Sequence, residues 1–258
     1  MTQWAKYWVA YQTIARREIL RFSRIWVQTI IPPMVMVGLY FIIFGNLIGR
    51  KIGEMDGMSY VDFIMPGLVM MSIITNSYAN VVSSFYGAKY SHYIEEMQIA
   101  PIPNIIILLG YVTGGITRGM CVGVAVTITS LFFTDFSIHA PVIVIGVAFL
   151  TSFLFSLAGL INGVFAKSFD HVTIVPTFIL TPLTYLGGIF YSIKLLPEFW
   201  QQISLINPIL YMVNSFRLGF RGVSDIELGT AIGVILVFIL ILFAICMTLL
   251  DRGTGIRH

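Results

Sequence analysis

Charge is scarce in this sequence: Lys, Arg, Asp and Glu together make up 10% of its 258 residues. Soluble domains carry about a quarter charged residues. A hydrophobic share of 57% and a mean hydropathy of +0.90 leave more apolar surface than one protein core can take in. The chain must face lipid, which excludes a soluble globular protein. Cysteine is nearly absent as well. Cys121 and Cys246 both fall inside apolar runs, where they act as small hydrophobes, so they define neither a disulfide framework nor a metal set. His92, His139, His171 and His258 are scattered, and no His pair at four-residue spacing accompanies a Glu. No Gly-x-Ser-x-Gly elbow and no Gly-x-x-x-x-Gly-Lys-Ser/Thr loop occurs, so the chain is not expected to bind ATP in the P-loop manner. The net charge of +3 comes mainly from basic residues near the N-terminus. It speaks to membrane orientation and anionic lipid, and nucleic-acid binding is rejected. The N-terminal stretch lacks a compact apolar core followed by a small-residue cleavage site and is expected to be retained.

What remains is long apolar runs. At roughly 20 to 25 residues per span, about six crossings fit with little left over, which predicts an all-α membrane protein. Residues 1–24 come first. Trp4, Trp8, Tyr11, Ala15, Ile19 and Phe22 recur at helical spacing, with Lys6, Thr13, Arg17, Arg21 and Arg24 on the opposite face. That pattern predicts an amphipathic helix in the plane of the interface, either a plain anchor or a docking element for a partner. Spans are expected over 25–48, 61–85, 105–133, 141–166, 172–190 and 228–250. Pro32 and Pro33 predict a kink in the first, tolerated or hinged.

Polar residues inside these runs are few. Ser72, Asn76, Asn80 and Ser83 share one face of the second span, as glue between helices or as lining of a pathway. The third span carries Gly110, Gly114, Gly115, Gly119 and Gly123, a face that admits another helix closely. It also carries Arg118 near its middle, a position that costs roughly 2.5–3.5 kcal/mol unless partnered or wet. Arg118 is read either as an anionic site on the pathway or as a snorkelling or paired structural residue.

Residues 87–104 hold Glu95 and Glu96 before Pro101 and Pro103, a short polar helix protruding from the membrane. Residues 191–227, with Tyr191, Trp200 and Tyr211 among Gly and Pro, are too apolar for a solvated linker and too broken for a straight span. They are expected to form a re-entrant helical hairpin and linker between spans five and six. Six crossings put both termini on one side with nine Lys and Arg against five opposite, so the termini are expected in the cytoplasm and the hairpin outside.

The layout resembles the ABC-2 type permeases, the membrane subunits of ATP-binding-cassette exporters, and within them the bacterial group containing YadH and the NodJ-like exporters. The residues carrying the resemblance are Phe63 to Gly67, Glu95 to Pro101, Phe165 to Lys167, Pro176 to Phe178, Gly187-Gly188-Ile189-Phe190-Tyr191, and Asn207-Pro208 with Tyr211 and Arg217. It implies a single transmembrane domain over the whole chain, in the bacterial inner membrane, paired with a second copy and with a separate ATPase subunit. That partner would bind ATP and Mg, leaving this chain without a cofactor, a metal or an enzymatic activity of its own. Glu95, Glu96, Met97 and Pro101 would form the coupling segment on the ATPase, with Arg16, Arg17, Glu18 and Arg21 making a second contact. The hairpin would cap the exit. Such permeases export lipids, polysaccharides, lipo-oligosaccharides or drugs, and the apolar, sparsely charged spans suit amphipathic cargo. An ion-coupled secondary transporter would need a mid-depth ion site and often two similar halves, and a membrane-embedded enzyme would need a polar cluster at one depth. Neither pattern stands out.

Overall fold

Helix ends follow from local chemistry in this computed structural model, which describes residues 2–55, 57–134 and 138–255. Helix α1 spans Gln3–Ser23, and α2, Trp26–Tyr40, runs through Pro32 and Pro33. It passes into a π-helical stretch, Phe41–Ile48, and ends in the short α3, Gly49–Ile52. A minimal hairpin, β1 Glu54–Met55 paired antiparallel with β2 Met58–Ser59, then returns the chain. Ser59 opens α4, Tyr60–Tyr90, by accepting from the Asp62 amide and donating to the Asp62 carboxylate. Next come α5, Tyr93–Ile99, α6, Asn104–Ser130, and α7, Pro141–Phe165, with proline at its first turn. After α8, Phe169–Val175, a π-turn over Pro176–Leu180 leads into α9, Thr181–Tyr185. The chain closes with α10, Glu198–Ile206, α11, Pro208–Arg221, and α12, Leu228–Arg252. Gly222 and Gly253 end the last two in the left-handed conformation that favours glycine.

Helix α4 is the mast. It packs against α6, α7 and α11, and Phe63, Ile64, Met65, Leu68, Met70, Ile74, Val81 and Phe85 are fully buried along it. Close approach is set by missing side chains. A Cβ on Gly159 of α7 would lie 2.6 Å from the Tyr78 carbonyl of α4, and one on Gly67 of α4 would lie 3.0 Å from the Ile189 Cα. Helices α2 and α12 stand at the rim with large apolar side chains outward, Val35, Met36 and Leu39 on one and Val237, Leu240 and Ile241 on the other. This is an all-α membrane protein, the two-residue strands aside.

Five of the described helices are long and apolar enough to cross a membrane: Trp26–Gly45, Tyr60–Tyr90, Asn104–Ser130, Pro141–Phe165 and Leu228–Arg252. Several boundaries differ from expectation, and the third span, expected to run to 133, ends at Ser130. The second span runs to Tyr90, because Phe85, Tyr86 and Ala88 stay buried and keep the helix packed past the polar residues that suggested a stop. The stretch expected as a span over 172–190 is helical from Phe169 to Tyr185 in three pieces, and residues 186–190 are turn. Proline accounts for the break. Pro176 and Pro182 withdraw amides from the helical ladder, and Thr181 Oγ1 donates to the Pro176 carbonyl. Among the basic residues used for orientation, Arg257 lies outside the described residues.

Candidate coupling surface

One end of the bundle gathers α1, α5 and the C-terminal turns of α4, α7 and α12. Helix α1 packs into the bundle there. Its inner face, Ile14, Ala15, Glu18 and Phe22, is buried in a groove that α6 opens by lacking side chains. A Cβ on Gly110 would meet Ile14 at 2.4 Å, and one on Gly114 would meet the Glu18 Cβ at 2.5 Å. Glu18 is fully buried and accepts from Arg17 at 3.2 Å and Arg21 at 3.3 Å. Arg17 also donates to the Tyr111 hydroxyl at 2.8 Å, and Arg21 donates to both the backbone and the side-chain oxygen of Asn80 at 2.8 Å. Tyr11 and Thr113 share a hydrogen bond at 2.9 Å. Burial acts to lower the pKa of Arg17, and the neighbouring Tyr111 and Glu18 outweigh it, so the value is raised and the guanidinium stays charged.

This corrects the expected facing of α1. Arg17 and Arg21 were placed on a polar face turned from the apolar one, yet both reach inward to a carboxylate between them. Of the apolar face, Ala15 and Phe22 pack inward while Trp4 and Trp8 stay on the surface. The reason is electrostatic: a carboxylate against apolar helices needs cations within reach, and residues 17 and 21 flank it. Glu18, expected at an ATPase contact, therefore presents no side-chain surface to a partner. Arg16 remains exposed.

Helix α5 sits beside α1 at this end. Ile94 is its buried foot, His92 enters it at φ 60°, and the His92 ring stands 3.1 Å from the Glu95 carboxylate. Glu96, Ile99 and Pro101 are exposed, Glu95 and Met97 half-buried, and Met97 packs against the core. A cleft of about 450 Å³ between α1 and α5 is lined by Arg17, Tyr93, Glu96 and Met97 among others. The segment is tied to the last span: Gln98 donates to the Leu250 carbonyl at 3.2 Å, and Asn104 donates to the Asp251 carboxylate at 2.8 Å. Lys89, at the end of α4, donates to the Val164 and Ala166 carbonyls that end α7.

Within the span region Arg118 of α6 meets Asn76 of α4, Nη2 to Oδ1 at 3.1 Å. So the polar face of α4 is used twice, Asn80 for Arg21 and Asn76 for Arg118. Sequence spacing placed these residues on one face; it could not name what stood across from them.

At the far end of α4 the expected hairpin residues fold into one knot. Gly188 has φ 73°, and its carbonyl accepts from Arg217 at 2.8 Å. The Arg217 guanidinium lies 3.8 Å over the Phe63 ring and is almost wholly buried. Asn207 caps α11 by accepting from the Ile209 amide and ties it to the Leu183 carbonyl; Pro208 takes the first helical position. Tyr211 donates to the Leu205 carbonyl, Gly187 lies against Ile209, and Tyr191 is half-buried in the loop between. Sequence reading missed three partners here: Phe63, Asp62, which pairs with Arg221, and Asp225, which takes Lys194 at 2.6 Å and Ser192 at 3.1 Å.

A family model described as ABC-2 type transporter matches residues 9–220, from the first turns of α1 to the end of α11. The chain belongs to the ABC-2 type transporter family. This family member is 58% identical over 251 residues to the inner membrane transport permease YadH of Escherichia coli strain K12, with 97% of this chain and 98% of that one covered. Nodulation protein J of Rhizobium leguminosarum bv. viciae is 22% identical over 246 residues, covering 95% and 94%, and that of Rhizobium meliloti 23% over 248, covering 95% and 93%. The resemblance drawn from the residues thus holds at family level. The matched region takes in both α5 and the Gly187 to Arg217 knot.

Proposed function

We propose that this ABC-2 family permease is the membrane subunit of an ATP-driven exporter in the bacterial inner membrane. Two copies form the pathway, and separate ATPase subunits bind ATP and Mg. The cargo is lipid-like, glycolipid, polysaccharide or drug-like. Both termini face the cytoplasm, and the segment over 172–190 completes six crossings, with α10 and α11 as the re-entrant hairpin at the outer face. The name of the 58% identical relative, an inner membrane transport permease, supports the location.

The observation that carries the coupling role is the mounting of α5. It offers exposed Glu96 and Ile99 to a partner while Gln98 and the adjacent Asn104 hold the end of α12. A displacement of α5 is thereby passed to a membrane helix without an intervening loop. In this reading ATP draws the ATPase subunits together, α5 moves with them, and glycine-faced contacts between spans allow sliding between inward-closed and outward-open arrangements.

A pull-down from native membranes tests it, comparing the parent with a Glu95→Lys, Glu96→Lys double variant. The parent recovers an ATP-binding subunit, and reversing two charges lowers recovery at least about tenfold. Equal recovery would move the docking site elsewhere. ATP hydrolysis by the permease purified alone would overturn the division of labour.

A further inference from the structure

A cavity of about 350 Å³ opens between α2, α4 and α6, and Arg118 is the one charged residue in its lining among the described residues. Three of its other polar side chains are committed within their own helices. Thr29, Ser72 and Asn76 donate to carbonyls of their own helices, those of Ile25, Leu68 and Ser72. Arg118 gives Nη2 to the neutral Asn76 amide, and its Nε is buried with no hydrogen-bond partner. A guanidinium near the middle of a span, with an amide rather than a carboxylate across from it, retains an uncompensated charge. An entering anion would supply the acceptor that the protein withholds.

Two further features describe what would enter. Pro32 and Pro33 offer no amides to the Gln28 and Thr29 carbonyls one turn back, which leaves two helix acceptors open at residues that line the cavity. And the neighbouring cations are already answered. Arg17, Arg21 and Arg24 border a second cavity of about 550 Å³ along α1, but Glu18 lines it too and accepts from Arg17 and Arg21, whereas among the described residues Arg118 has no carboxylate across from it.

We infer that the cavity between α2, α4 and α6 binds the phosphate headgroup of an anionic, hydroxyl-bearing amphiphile. Arg118 holds the phosphate, and the Gln28 and Thr29 carbonyls accept from headgroup hydroxyls. The inference rests on the exporter reading for its place on a transport path; the binding itself does not.

The test is equilibrium binding of tail-labelled phosphatidylglycerol against tail-labelled phosphatidylcholine, by fluorescence anisotropy, to the purified chain in a neutral maltoside detergent. The parent prefers phosphatidylglycerol by roughly tenfold, as one charge-assisted contact implies. Arg118→Met loses the preference and Arg118→Lys retains it. Asn76→Asp, nearly isosteric, leaves the guanidinium in place and pairs it internally; it too loses the preference, and it decides the matter should Arg118→Met fail to fold. No preference in the parent, or an undiminished preference in Asn76→Asp, overturns the proposal. So does displacement of the lipid by inorganic phosphate at matching concentration, which would mark a site for the bare ion. No ATPase enters this assay, so a failed pull-down and a failed lipid preference are separate results.

Discussion

The two ends of α4 hold guanidiniums in different ways. Near its C-terminal end, Arg17 and Arg21 of α1 enclose the fully buried Glu18 while 43% and 33% of their own side chains remain open. Near its N-terminal end, Arg217 is only 2% exposed and rests on the Phe63 ring with a hydrogen bond to the Gly188 carbonyl. The first arrangement pins a helix at the edge of the bundle; the second locks a loop into the packed interior. A carboxylate between two hydrated cations can be pulled apart with water filling in. A guanidinium sealed under a ring cannot, so the α11 end is expected to be the more rigid and the α1 end the one able to yield.

That contrast can be broken most directly at Arg217. Arg217→Ala opens a void under Phe63 and strips the Gly188 carbonyl, and is expected to cost about 3 kcal/mol. Thermal unfolding in detergent reads it, and a loss smaller than that of Glu18→Ala would reverse the ranking of the two ends. Glu18→Ala leaves two cations facing each other; a fully buried pair broken this way costs roughly 3–5 kcal/mol, and their hydration brings the expectation to about 2 kcal/mol. Hydrogen exchange then sharpens the picture: α1 amides exchange faster while those of α11 keep their protection. Uniform loosening of both helices would mean that the ends are not independent. The smallest effect belongs to Tyr11→Phe, which removes only the bond to Thr113 and is expected to cost about 0.5–1 kcal/mol, confined to α1 in the same experiment.

Much of the α1 end was legible in the sequence, but with one face misread. Helical spacing found an amphipathic α1 and a glycine face on α6, and both exist. It set Arg17 and Arg21 outward because spacing sorts residues by polarity, while Glu18 drew them inward. Asn76 and Asn80 were placed on one face correctly, whereas their partners Arg118 and Arg21 come from other helices. The hairpin residues Gly187, Gly188, Asn207, Pro208, Tyr211 and Arg217 were picked out together, and of these Gly188 and Arg217 bond directly, while Phe63 under Arg217 and Asp62 beside Arg221 lie far away in sequence, where spacing alone does not join them to the hairpin.

By itself the sequence determined that this chain lives in lipid, because composition and apolar run length are properties of the chain alone, and its quoted motif residues carried the resemblance to its family. Only the tertiary structure decided which charges are paired, which proline-bearing run breaks into three pieces, and which asparagine faces which arginine. The stability of a buried polar group depends on what stands within hydrogen-bonding distance of it, and that is set by packing between helices that are distant in the chain.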